Sequence, residues 1–544
     1  MLACSALISF NIKKHPEIIS LDPSIGSPGD VIVIKGKEFG SSRGSSFVEI
    51  GSERLTSSSY LSWKNDEIKI VLPPNVQNGL VIVDSSGRRS KPAIFVNQTE
   101  LPVAVPPNPR TTYPVILSLS ADTISTGQRL IITGNNFGDI RGNSCVYFKT
   151  NHTSLSNTDV PATRELVDLK GNQDNYIPAN ADDYDYEYWS DTEIHVRIPD
   201  GAVAGNMYVH TEKGNSPYQK IQINSDSGSK QYSSGRTYLI QVTADIANVK
   251  AARNSSLTLH IPRPVTMASQ PVAQMTECNP QPVLADYHHA VIHQTDFTQF
   301  EDKKKRFSQN FMVSVYSITS SVNENQIKPF TDKTRLLYTA AVQADACVPS
   351  NSARVRILAS DIINKEKNPY IQAKLIYTYM LNNYRLLSKM RTGDISPLDM
   401  IDSKKGDAYD YAILYTALLR SVGIPAKPVS GILVDAELKT KNHWWSEFYL
   451  ENFGWVPVDP ALGAGLSYKP FQPVSDPVSF YFGNLDSQHI AFSTGWDTVK
   501  PSLVNNKTVY HPRSYALQSI WEEASAGVDR YSSYWNNPSV LGVY

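Results

Sequence analysis

One stretch of the 544-residue chain gathers side chains that could do chemistry. Gly406-Asp407 opens a predicted helix through Ala412, Tyr415, Leu418 and Leu419, which Gly423 and Pro425 bring to a stop. Two predicted strands follow, over 443–450 and 455–459, joined by Glu451-Asn-Phe-Gly454. His443 begins the first and Asp459 ends the second, so a hairpin puts both at the same end. A histidine within reach of a nucleophile accepts its proton, and a carboxylate holds the ring in the useful tautomer. A thiol at a helix N-terminus suits such a pair, because unpaired N–H groups and the helix dipole stabilise its thiolate. The chain has four cysteines, Cys4, Cys145, Cys278 and Cys347, and none lies in this stretch.

The same stretch carries four ordered blocks: Gly406-Asp-Ala-Tyr-Asp-Tyr-Ala412, Leu418-Leu-Arg-Ser-Val-Gly-Ile-Pro-Ala426, His443-Trp-Trp-Ser-Glu-Phe-Tyr449 and Gly454-Trp-Val-Pro-Val-Asp-Pro460. Together they resemble the transglutaminase-like core of the papain-like cysteine-enzyme superfamily. That family's pattern opens with Gly-x-Cys-x-[Asp/Glu]-[Phe/Tyr]-Ala at a helix start. The stretch from Tyr238 and the block Tyr481-Phe-Gly-Asn-Leu-Asp-Ser-Gln-His-Ile-Ala-Phe-Ser493 also look like bacterial members. The resemblance implies His443 as base and Asp459 as its orienter, and it puts the nucleophile's position at Ala408. A methyl group cannot attack a carbonyl. Tyr409 and Ser403 are neighbours in sequence, and hydroxyls need stronger activation than a thiol. The expectation is a remnant His443–Asp459 dyad, silent for thiol chemistry, with no cofactor and no metal.

The elements around this stretch are mostly strands. Helical periodicity starts only after 350, where Asn368-Pro369 caps a run through Ile371, Leu375, Ile376, Tyr379 and Met380. The first half repeats itself: Pro16 to Leu21 recurs as Pro114 to Leu119, and Gly29, Gly36, Phe39-Gly40 and Arg43-Gly44 recur 98 residues later. Beyond them Trp63, Glu67-Ile68 and Pro73 match Trp189, Glu193-Ile194 and Pro199 at an offset of 126, so the second copy holds a 28-residue insertion within 149–188. The repeated glycines read as turn positions needing φ > 0. The repeats resemble IPT/TIG modules, which are immunoglobulin-like sandwiches. The implied fold class is a multidomain, β-rich chain, tandem immunoglobulin-like β-sandwiches followed by an α+β transglutaminase-like core. The segments are a tail over 1–14, sandwiches over 15–98 and 112–226, a further β-sandwich over 227–350, the core over 351–465 and its C-terminal extension over 466–544. A Pro-rich stretch over 101–109 joins the first two as a stiff spacer.

Composition narrows the function. With 51 Lys+Arg against 52 Asp+Glu, the chain has no electrostatic footprint for nucleic acid. No apolar run reaches the ~18 residues of a membrane span. Leu2-Ala3-Cys4-Ser5 resembles the end of a bacterial lipoprotein signal, which makes Cys4 a candidate lipid anchor and the cell envelope or periplasm the expected location. The reading without the anchor is cytoplasmic. Four cysteines exclude a disulfide scaffold and a Cys-rich zinc site. Cys278 and Cys347 fall in one segment and form a pair to be tested. His288, His289 and His293 read as a solvated strand, and the acidic run over 182–188 as a solvated insertion. Trp444, Trp445 and Trp455 read as hairpin core. The leading expectation is a non-catalytic protein that holds a peptide, protein or glycan-linked ligand in or near the His443 cleft. The alternatives are a cysteine peptidase, amidase or acyltransferase whose Cys was replaced by Ala408, and a structural adhesion or spacer protein.

Overall fold

The computed structural model describes residues 14–51, 53–98, 113–152, 176–297, 304–392, 396–496, 506–509, 511, 513–517 and 521–544. Cys4, the 101–109 spacer and most of the second copy's insertion lie outside these residues. The chain divides into two compact units, Met1–Thr112 and Tyr113–Tyr544.

The first unit is a sandwich of a four-stranded and a six-stranded sheet. Val31–Lys37 alternates inward and outward residues, so Ile32 and Ile34 meet Val81, Val83 and Phe95 in the core. The second unit begins with the repeat. Arg129–Asn135 has the same alternation residue for residue as Val31–Lys37, and both sandwiches share one strand order. In each, an indole N–H donates to a carbonyl of the same turn, Trp63 to Phe39 and Trp189 to Phe137. Gly29, Gly40, Gly127 and Gly138 have positive φ as expected. Gly36 and Gly134 do not: they are glycine because a Cβ at Gly134 would sit 2.1 Å from the Val115 carbonyl oxygen and 2.4 Å from the Phe137 ring. The corrected reason is close approach, not turn geometry.

Two long strands, Gly228–Ala251 and Lys305–Val322, pair along most of their length and form the spine of a third sandwich. His293 lies inside it, not on a solvated strand. Its Nε2 accepts from the Gln309 amide at 3.0 Å, and burial followed by nearby Lys305 pushes the ring down to about 4. His288 and His289 form the turn before that strand. Cys278 sits beside His293 and Cys347 beside Tyr409, both as free thiols, so the two do not pair. Residues 522–543, grouped in sequence with the core, run back to this sandwich: Glu522–Ala524 pairs with Ser256–Pro262, while Val528–Trp535 and Ser539–Val543 flank Gly228–Ala251.

Between the sandwich's strands lies the helical core. Helices begin earlier than their periodicity suggested, with Leu336–Val342 and then Ala353–Ile363. Two more carry the packing: α1 (Pro369–Asn383), capped by Asn368, and α2 (Ala408–Ser421). Every residue of α2 from Ala408 to Arg420 is buried. It packs on a four-stranded sheet in the order β3-β2-β1-β4, where β1 is Ala426–Val434, β2 Thr440–Leu450, β3 Gly454–Val458 and β4 His489–Thr494.

The second repeat docks on this core through buried charge. Lys427 on β1 pairs with Asp183 and, at 3.3 Å, with Glu447 on β2. Asp200 accepts from Lys230 at 2.6 Å and from the Trp455 amide at 3.0 Å, and Arg197 donates to the Tyr449 hydroxyl at 2.9 Å. Asp182 meets His289 at 3.2 Å. The acidic run is therefore a packed seam, not a solvated insertion. Removing one partner of a buried ion pair strands the others, so Lys427→Met should cost about 3–5 kcal/mol in urea unfolding.

Candidate active site

The N-terminus of α2 is fixed by a reciprocal cap. The Asp407 carboxylate accepts from the Asp410 amide at 3.1 Å, and Asp410 accepts from the Asp407 amide at 2.9 Å. Two arginines cover both acids: Arg391 reaches Asp410 at 2.6 Å, and Arg513 reaches Asp407 at 3.0 Å and Asp410 at 2.9 Å. Burial and the neighbouring Asp410 push Asp407 upward against these arginines. Ala408 is the first residue of the helix they hold in place.

The hairpin forms as the sequence indicates, with Leu450 opposite Gly454 and Ser446 opposite Val458. That register brings His443 and Asp459 together beyond its open end. Nε2 of His443 donates to Asp459 Oδ2 at 2.5 Å. A carboxylate is acceptor-only, so the proton of this contact belongs to the ring. Asp459 is wholly buried, and its other oxygen caps the short helix Pro460–Gly463 by accepting from the Leu462 amide at 2.8 Å. Burial opposes its charge, but His443 and His489 hold the carboxyl well below the usual carboxylate range.

His489 was not singled out in the sequence. It comes from β4, and its Nε2 donates to the same Asp459 Oδ2 at 3.1 Å while Nδ1 donates to Asp486 at 2.9 Å. Asp486 also accepts from the Gln488 amide and the Tyr481 hydroxyl. Burial opposes a charge on His489, but Asp486 and Asp459 outweigh it and push the ring up to about 10. The available signal was Asp486-x-x-His489 inside the block over 481–493. The His489 contacts to Asp459 and Asp486 have ordinary hydrogen-bond lengths, and the His443 contact is shorter.

Ala408 and His443 line one cavity of about 650 Å3. Leu387, Met390, Leu433, Trp444 and Leu466 give it apolar walls, and Asp435, Glu437, Lys439, Lys441 and Lys469 give it charge. Ser403 and Tyr409 do not line it. Ser403 donates to the Lys405 carbonyl, and the Tyr409 hydroxyl lies 3.6 Å from Cys347 Sγ. Cys347 is thus close to the helix start but buried, and burial with nearby Asp345 pushes its thiol up to about 12. It cannot stand in for a thiolate at Ala408.

The shifts carry a sign for stability. His489 is raised above its unfolded value of about 6.5, so its contribution is complete below that pH and is lost as pH climbs toward about 10. Asp459 and Asp486 are depressed, so theirs is lost in acid. Urea midpoints should fall across the alkaline window, and Asp486→Asn should flatten that fall.

Comparison with known proteins agrees with this architecture. A family model described as the transglutaminase-like superfamily matches residues 356–460, and one described as an IPT/TIG domain matches residues 16–95. An uncharacterized protein of Haemophilus influenzae is 27% identical over 172 residues, 26% of this chain and 47% of that protein. A cyclomaltodextrin glucanotransferase of Bacillus licheniformis is 39% identical over 59 residues, 11% of this chain and 8% of that enzyme. The chain thus spans less than half the length of these curated relatives. Among solved structures, a candidate cysteine protease from Cytophaga hutchinsonii aligns with TM-score 0.36 and 16% identity, covering 58% of this chain and 91% of that one. The periplasmic domain of TgpA from Pseudomonas aeruginosa aligns with TM-score 0.24 and 14% identity, covering 42% and 86%. Residues 356–460 are a transglutaminase-like core, and residues 16–95 are an IPT/TIG domain.

Proposed function

We propose that the cleft between α2 and the hairpin binds a peptide or glycan-linked peptide without turning it over. The observation that carries this reading is Ala408, a methyl group at the helix position that opens onto the His443 cavity. His443 and Asp459 then act as a retained dyad that shapes the cleft and offers polar contacts to a bound amide. Apolar walls with charged groups among them suit an extended peptide, whose backbone and side chains present both characters.

Fluorescence polarisation with a pool of labelled peptides, plain and glycosylated, tests the reading. Saturable binding is expected, lost in Ala408→Trp, whose indole fills the cavity, with no amine released from peptide amides. Iodoacetamide-sensitive turnover by the native chain would overturn it.

On the same reading Cys4 carries a lipid and the chain works at the cell envelope, supported by Leu2-Ala3-Cys4-Ser5. Radiolabelled palmitate should be incorporated in a bacterial host by the chain expressed behind a lipoprotein signal, and not by Cys4→Ala. Equal labelling of both would refute the anchor.

A further inference from the structure

His443 and Asp459 do not stand alone. Four side chains form one chain of contacts, the half-buried Asp486 and the buried His489, Asp459 and His443, linked at 2.9, 3.1 and 2.5 Å. Both nitrogens of His489 meet carboxylates, and carboxylates only accept, so both nitrogens carry protons and the ring is an imidazolium. Asp459 Oδ2 thus divides its negative charge between the His489 cation and His443. His443, which lines the cavity, keeps its Nε2–H on that oxygen, and Nδ1 is the ring nitrogen outside that contact.

We propose that His489 is a positioning residue for His443: as a second donor on Asp459 Oδ2, it fixes that oxygen and keeps the His443 ring neutral, with Nδ1 as a lone-pair acceptor. The inference rests on the reading of His443 and Asp459 as a retained dyad and deepens it. Without the cation, the uncompensated carboxylates of Asp459 and Asp486 would draw a second proton onto His443 and turn Nδ1 from an acceptor into a donor. The site would then prefer a carbonyl or carboxylate where it now prefers an N–H group. This assigns the ligand chemistry at Nδ1: an amide or amine N–H aimed at the ring.

The other charged and titratable groups facing this chain of contacts are few. Tyr481 donates to Asp486, and the buried phenols of Tyr377 and Tyr468 lie near Asp459. From the cavity side His443 faces Asp407, Asp435, Glu437, Lys439, Lys441 and Lys469, of which Glu437 is paired with Lys439 and Lys469. None of these makes a hydrogen bond to Asp459 Oδ2 as His489 does.

Ring-nitrogen NMR on the full chain, uniformly labelled with ¹⁵N, tests this without any ligand. In the native protein His489 should show two protonated nitrogens from about pH 6 to 9, and His443 the Nε2–H tautomer. In His489→Gln, where Asp459 loses its second ring donor, His443 should lose the single Nε2–H tautomer. A neutral His489 in the native chain overturns the proposal, as does an Nδ1–H tautomer of His443 or an unchanged His443 spectrum in His489→Gln. If His489→Gln does not fold, the native spectrum and Asp486→Asn, which weakens the His489 cation and should also disturb the His443 tautomer, decide the matter. Because the readout is the ring-nitrogen spectrum, a failure to bind peptides would leave it intact and would count only against the proposed ligand.

Discussion

A single buried carboxylate joins the pieces of the site. Asp459 ends the hairpin, caps Pro460–Gly463 and receives two imidazoles from different strands. A charge so deeply buried is costly unless every lone pair is used. Here one oxygen takes the Leu462 amide and the other takes both rings, so the cost of desolvation is offset only when three separate segments converge. The wall of the cleft therefore inherits its shape from the coordination of one side chain.

The strand that carries His443 works on both its faces. Trp444, Phe448 and Leu450 belong to the core under α2, and Ser446 meets Thr416 of that helix. Trp445, Glu447 and Tyr449 point the other way, into the third sandwich and the second repeat. Glu447 belongs to the family block, yet its partner is Lys427 and, through it, Asp183 of the neighbouring sandwich. Gly127 shows the same adaptation from the other side: a Cβ there would overlap the Tyr449 hydroxyl, whereas its counterpart Gly29 has open space. One copy of the repeat is thus shaped to receive the core.

What could be read from the sequence was what local chemistry specifies. Asn368 and Asp407 cap their helices with their own side chains, so both helix starts were legible. The hairpin was legible too, because its strands are adjacent and its turn is short. Leu336–Val342 has no side-chain cap, and it was missed. His489 lies 30 residues beyond Asp459, and only the pairing of β4 with β1 brings it there. The acidic run looked like solvent-facing charge because its cation, Lys427, is 244 residues away. Gly36 and Gly134 were legible as special but not as crowded, since the crowding comes from a neighbouring strand.

The return of the C-terminal strands has a mechanical meaning. Ser539–Val543 lies beside Tyr238–Gln241, so the chain leaves the third sandwich, builds the core and comes back to the same sheet. A tension applied between residues near 228 and 544 would pull at the same end of this antiparallel pair and open its hydrogen bonds one after another. The cleft, carried on a closed excursion of the chain, would stay outside the line of force.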